Sequence, residues 1–453
     1  MKTRISLLSV LALALAAAQA NAAVSADEAA QLGANLTPTG AERAGNADGS
    51  IPEWTGGLPE NAGSVDAAGR PANPYADEQP LFVITAANMD QYQEILSDGH
   101  KAMLRRYTDS FRLPVYASHR SAALPQSVYD AIAQNAVTTT MVDGGAGLQN
   151  FSIATPFPIP KAAKEVVWNH IGRYRGGSAR RQVIQTAPLV DGTFVPVLMQ
   201  QQFSYRDQLK DFDPANPDNV LYYFMQEIKS PARLSGSIVL VHETLDQVKE
   251  PRRAWLYNAG QRRVRRAPQV SYDGPTPATD GQRVADNLDM FNGAMDKYDW
   301  ELKGKREVLV PYNNFQIDSP SLSYDDLIQP GHLNPDALRY EQHRVWVVEA
   351  TLKPDERHIY AKRVFYIDED TWQISLAEQY DARGQLWRVS EGFMIPLYDR
   401  KIPWLAAESI SDLSNGRYSV FGLRNEINSP IEFGFTASSS EYTPNALRNS
   451  GVR

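Results

Sequence analysis

The stretch HIYAKRVFYIDEDTWQISLAEQYDARGQLWRVSEGFMIPLY, residues 358–398, decides the fold. It holds three long β-rich runs, 358–368, 371–381 and 385–398. Asp368-Glu369-Asp370 and Asp381-Ala382-Arg383-Gly384 separate them. Such breaks predict consecutive hairpins. Hairpins make neighbouring strands antiparallel, because parallel pairing needs a long crossover. In 358–367 one face carries Ile359, Ala361, Arg363, Phe365 and Ile367, and the other His358, Tyr360, Lys362, Val364 and Tyr366.

The same pattern extends outward. Strands are predicted over 181–190, 193–206, 219–228, 236–248, 252–258, 261–266, 298–311, 343–353 and 416–424, with turns at Asp191-Gly192 and Asn258-Ala259-Gly260. A chain of long hairpins buries itself by curling into a strongly curved sheet or an incomplete barrel. In 344–350 both faces are apolar, Val345 and Val347 against Trp346, Val348 and Ala350. Such a strand is covered on both sides, by helices or by a ligand. The interval 312–342 is rich in Pro, Asn, Ser and Asp and predicts a short helix or an ordered loop.

Helices precede the strands. Met89, Tyr92, Leu96, Met103 and Tyr107 share one face of a helix over 86–107. A second helix covers 125–136. Pro160 opens a third over 161–174, with Ala163, Val166, Val167, Ile171 and Tyr174 as its apolar stripe. These helices are expected on the concave face of the sheet. Residues 24–80 are dominated by Ala, Gly, Asn, Asp and Pro and read as an extended arm. Within it, Gly45-Asn46-Ala47-Asp48-Gly49-Ser50 is half of a calcium loop or a plain Asx turn. Lys2 and Arg4, the apolar run Ile5–Ala18, and Ala20-Asn21-Ala22 predict a secretory signal. The expected organisation is a signal over 1–22, an arm over 23–80, and one domain over 81–453, helical to 176 and sheet from 177.

With no cysteine, disulfides, thiolate metal sites and a lipid anchor on cysteine are excluded. The formal charge is −8, or −10 without Lys2 and Arg4. That balance argues against nucleic acid and anionic membrane as general partners. His242-Glu243 lacks the second histidine of a zinc helix, and no Gly-x-Ser-x-Gly elbow occurs. No metal, no cofactor and no catalytic residue is expected. The densest charge signal is basic: Arg252, Arg253, Arg262, Arg263, Arg265 and Arg266 flank Trp255-Leu256-Tyr257. These arginines either pair with the acids that follow, such as Asp286 and Asp289, or meet an anionic head group or partner.

Several segments then become recognisable. They are Gly45–Trp54, Val167–Gly176 (with Trp168-Asn169-His170), Arg253–Asn258 through Arg265-Arg266-Ala267-Pro268, Met290–Asp296 and Lys362–Asp368. In this order they resemble the DUF1329 family. The resemblance implies an outer-membrane lipoprotein-carrier fold of the LolA/LolB type, an unclosed antiparallel barrel wrapped over helices with an apolar cavity for acyl chains. It also implies work beside exporters of the resistance-nodulation-division (RND) type and an outer-membrane protein. It supplies no catalytic residue. The chain departs from lipidated carriers in lacking cysteine and is about twice their size.

The expected function is therefore a periplasmic, unlipidated carrier of a lipid or other hydrophobic small molecule, free or associated with the outer membrane. The expected cavity wall is Trp255, Tyr257, Trp300, Trp346, Phe365, Trp372 and Trp387. Arg262, Arg263, Arg265 and Arg266 are the expected partner or head-group contacts. The alternatives are a non-catalytic adaptor of an RND-type transporter complex and an envelope lipid or glycan hydrolase.

Overall fold

A computed structural model describes residues 23–267 and 272–450. The signal predicted over 1–22 lies outside the described residues. The strands in chain order are β1 (Phe82–Ile84), β2 (Leu113–Val115), β3 (Thr140–Val142), β4 (Gly147–Gln149), β5 (Ala179–Thr186), β6 (Val197–Tyr205), β7 (Val220–Ser230), β8 (Ile238–Thr244) and β9 (Arg253–Asn258). They continue as β10 (Arg263–Arg266), β11 (Tyr298–Pro311), β12 (Tyr340–Leu352), β13 (Lys362–Asp368), β14 (Ile374–Tyr380), β15 (Leu386–Leu397), β16 (Ile402–Asp412), β17 (Tyr418–Leu423) and β18 (Glu432–Phe433). All but β3 and β4 join one unclosed sheet. β11 pairs only with β12, and the order then runs from β12 through β17, across to β5, and on through β10. Except for a parallel bridge between β12 and β2, every pairing in it is antiparallel. The fold is α+β and β-dominated.

The hairpins form as the turn chemistry dictates. Asp381 Oδ1 accepts the backbone N–H groups of Arg383 and Gln385, both at 2.9 Å, and Gly384 takes a left-handed φ of +74°. At the preceding hairpin Asp368 Oδ2 accepts Thr371 N at 2.9 Å. Trp372 is also left-handed there, at φ +57°, with its ring buried. The predicted strand list omits β16. Ile402-Pro403-Trp404-Leu405-Ala406-Ala407 shows no alternation, because almost every residue of this central strand is buried.

The expected helix over 86–107 divides into a 3-10 segment, Met89–Ile95, and a helix, Asp98–Arg106. Leu96 is extended between them, and Ser97 caps the second by accepting His100 N at 3.0 Å. That helix packs on β14 and β15, where Glu378 accepts Gly99 N at 2.6 Å. The helix Ala163–Gly172 packs on β11 and β12. It lies on the face of Val348, Ala350 and Phe365, whereas Val345 and Val347 face a second apolar cluster. The doubly apolar strand is therefore covered by protein.

The arm is pinned along its length. Thr39 O accepts Trp372 Nε1 at 2.9 Å, Glu42 O accepts Arg120 Nη2 at 2.7 Å, and Asn46 Nδ2 donates to Glu307 at 2.7 Å. The Gly45–Ser50 loop is an Asx turn: Asn46 Oδ1 accepts Ile51 N and Asp48 Oδ1 accepts Ser50 N, both at 2.9 Å.

Candidate functional site: an apolar groove under a strap

β5 to β9 place one face of their side chains in a continuous row. Register sets Arg181 opposite Gln201, Gln201 opposite Gln226, and Phe203 opposite Phe224. It then sets Phe224 and Gln226 opposite Val241 and Val239, which stand opposite Ala254 and Leu256. Directly opposed residues share a face of the sheet. β17 joins this surface through Phe421, opposite Gln185.

A strap crosses the face. Residues 272–292 contain little regular structure and run over it from Tyr272 to Asn292. Gln185 Nε2 donates to the carbonyls of Pro277 and Ala278 at 2.9 and 3.0 Å. Arg283 pairs with Glu408, whose other oxygen accepts Met290 N at 2.7 Å. Asn292 Nδ2 donates to Tyr222 OH at 2.6 Å and to Glu243 at 3.1 Å, and Glu243 also holds Arg252 at 2.7 Å.

Between strap and sheet lies a groove of about 240 Å³. Phe224, Val239, Val241, Ala254, Leu256 and Ala267 line the sheet side, and Pro275, Pro277 and Leu288 the strap side. Leu256 is 43% exposed, so the groove opens to solvent beside the β9–β10 hairpin. A narrower hollow of about 70 Å³ continues inward, sharing Tyr222, Phe224, Leu288 and Phe421, toward Arg175, Arg181, Asp289 and Glu408. A separate hollow of about 380 Å³ lies between the 148–153 and 205–217 segments.

Behind the inner hollow, Asp289 accepts Arg173 at 2.9 Å and Arg175 at 2.5 Å. Burial opposes charge on Asp289, but the two guanidiniums outweigh it and hold the carboxyl well below the usual range. His170 Nε2 donates to Asp289 O at 2.8 Å, and its Nδ1 accepts Ile374 N at 3.1 Å. Burial pushes this imidazole down to about 3, so it is neutral. Trp168-Asn169-His170 is thus a packing motif.

A family model, "Protein of unknown function (DUF1329)", matches residues 83–448. The chain belongs to the DUF1329 family. A relative, the uncharacterized protein PA3922 of Pseudomonas aeruginosa, is 59% identical over 444 residues, covering 98% of each chain. Among solved structures, a DUF1329 family protein from Desulfovibrio piger covers 60% of this chain and 92% of its own, at 15% identity and a TM-score of 0.42. The LolA superfamily protein NE2245 from Nitrosomonas europaea covers 63% of this chain and all of its own, at 14% identity and a TM-score of 0.38.

In this DUF1329 protein none of the expected aromatic wall residues lines the groove. Trp255 and Tyr257 leave β9 on the face opposite Ala254 and Leu256, and pack with Tyr442 and Leu447. Trp300 stacks on Phe365 at 6.0 Å, and Trp346 on Trp372 at 6.5 Å. Trp387 donates to Asp412 at 2.9 Å and lies under Arg388. The groove uses the alternate residues of the same strands, Leu256, Val241, Val239 and Phe224. Their period-2 spacing was the available signal, whereas ring size points to the other face of β9.

The arginines separate into two sets. Arg252 pairs with Glu243, and Arg253 with Glu250 at 3.0 Å. Arg262, Arg263, Arg265 and Arg266 are exposed and make no ion pair among the described residues. Asp286 and Asp289 serve other arginines, Arg363 for the former and Arg173 and Arg175 for the latter.

His343, Asp368 and Asp370 bring three donor atoms within 4.8 Å, among the described residues. Two facts oppose a metal there. Arg120 donates to both oxygens of Asp370, at 2.9 and 2.7 Å. Burial opposes charge on His343, but hydrogen bonds with Asp368 and Glu341 outweigh it and push the imidazole up to about 9. A protonated imidazole has no lone pair for a metal.

Proposed function

We propose that this protein is a carrier that holds a hydrophobic chain in the groove between β5–β9 and the strap, in the periplasm. The observation that carries this reading is a cleft with mostly apolar walls that stays open at Leu256. Its volume is just below the roughly 300–1,000 Å³ usual for small-molecule pockets, which suits a single chain. Each methylene moved from water into such a cleft contributes about 0.8 kcal/mol, so a short run of carbons gives useful affinity. The carrier role needs no bond to be made or broken. No described helix is long and apolar enough to cross a membrane.

The test is uptake of a neutral apolar fluorophore, N-phenylnaphthylamine, by delipidated protein. Wild type should enhance its fluorescence, and Val241→Glu, which places a charge in the wall, should abolish the enhancement while the fold persists by circular dichroism. No enhancement with wild type, or equal enhancement with both, would end the carrier reading.

A second reading is docking to a transporter or outer-membrane partner through Arg262, Arg263, Arg265 and Arg266. Their exposure beside the groove mouth favours it. Charge reversal of the four should then abolish co-purification with the partner without altering fluorophore uptake.

A further inference from the structure

We propose that the ligand of the groove carries an anionic head, a carboxylate or a phosphate, and that Arg181 receives it in the inner hollow. This rests on the carrier reading and adds to it a chemical class of ligand.

The argument begins with charge. Arg175 and Arg181 line the inner hollow with two carboxylates, Asp289 and Glu408, and those carboxylates are also paired from outside it by Arg173 and Arg283. Asp289 is taken by Arg173 and Arg175, and Glu408 by Arg283 and Met290 N. Arg181 is left over. It forms no ion pair among the described residues, and its buried Nη1 finds no hydrogen-bond acceptor among them. A buried guanidinium N–H with no acceptor is costly, and an anion delivered by a ligand removes that cost.

The guanidinium is also held in place. Arg181 Nε donates to Gln201 Oε1 at 2.9 Å, and Gln201 Nε2 is fixed on Gln226 at 2.8 Å. Its Cζ lies 5.0 Å from the centre of the Trp404 ring and 5.8 Å from that of Phe421. With Nε taken by Gln201 and two rings close by, Nη1 remains as a free donor on the edge with which arginine grips carboxylate or phosphate. Burial pushes the group down to about 10, which still leaves it charged at neutral pH. The hollow, about 70 Å³, holds about two water-sized groups, enough for one small head.

Position completes the case. The hollow and the apolar groove share one wall, so a head at Arg181 points its tail along Phe224, Val241 and Leu256. From β5 to β9 is four strand steps, roughly 19 Å, which matches a long acyl chain.

Binding to delipidated full-length protein should be measured by calorimetry for hexadecanoate, hexadecyl phosphate, hexadecanol, acetate and inorganic phosphate. Wild type should prefer at least one anionic chain over hexadecanol by about tenfold or more. A preference for hexadecanoate assigns a free fatty acid, and one for hexadecyl phosphate a phosphate-headed lipid. Arg181→Gln should lose the preference and keep hexadecanol binding. Arg181→Lys, which keeps a cation there but loses the planar fork, should keep part of the preference, and that partial loss decides the matter if Arg181→Gln does not fold. Equal binding of alcohol and anions overturns the anionic head and leaves the carrier standing. Acetate or phosphate binding as tightly as the chains overturns it in favour of a free-anion site. No binding of any chain overturns the carrier reading itself.

Discussion

The two halves of the sheet differ in what covers them. The half from β11 to β17 is closed by the arm, by helices and by buried ion pairs such as Arg120 with Asp370. The half from β5 to β10 is crossed on its groove face by the strap, which touches down at separate points, Gln185, Glu408 and Tyr222. Both halves are paired in antiparallel register with occasional shifts, and the half with the groove has no more of them than the other. A hollow therefore arises not from irregular strands but from a cover fastened at intervals.

The largest effects that would break this contrast belong to the closed half. Trp372→Ala removes a fully buried ring and the hydrogen bond to Thr39, and should cost about 3–5 kcal/mol in denaturant unfolding. Next comes His343. Its folded-state value of about 9 lies above the unfolded 6.5, so its contribution is full below pH 6.5 and is lost as pH rises through 9. Stability should fall by roughly 3 kcal/mol across that window, and His343→Gln should flatten the slope. In the open half, Val241→Glu should weaken uptake of the neutral fluorophore by about tenfold or more. It should change unfolding less than Trp372→Ala does. The smallest effect is expected at the hairpin: Arg263→Glu with Arg265→Glu should shift stability by no more than about 0.5 kcal/mol. A Trp372→Ala variant as stable as wild type would remove the contrast.

Local turn chemistry made most of this legible. Asp381 and Gly384, or Asn258 and Gly260, mark their hairpins without knowledge of neighbours. β16 was not legible, because a central strand buried on both faces loses its alternation. The helix over 86–107 was half legible: the apolar spacing runs through Leu96, but Ser97 restarts the helix as a cap. At the candidate site, alternation separates Leu256 from Tyr257 yet cannot say which side is hollow. That depends on residues 272–292, whose strap conformation is fixed by long-range bonds to Gln185, Glu408 and Tyr222.

The sheet does not close, and β10 and β11 are among its edge strands, each paired on one side. β10 bears Arg263, Arg265 and Arg266, and β11 bears Asp299, Glu301, Lys303 and Arg306. An uncovered edge offers backbone donors and acceptors to any passing strand, and charged side chains along it penalise that addition. The same arginines that stand at the groove mouth thus help keep an open barrel from polymerising edge to edge.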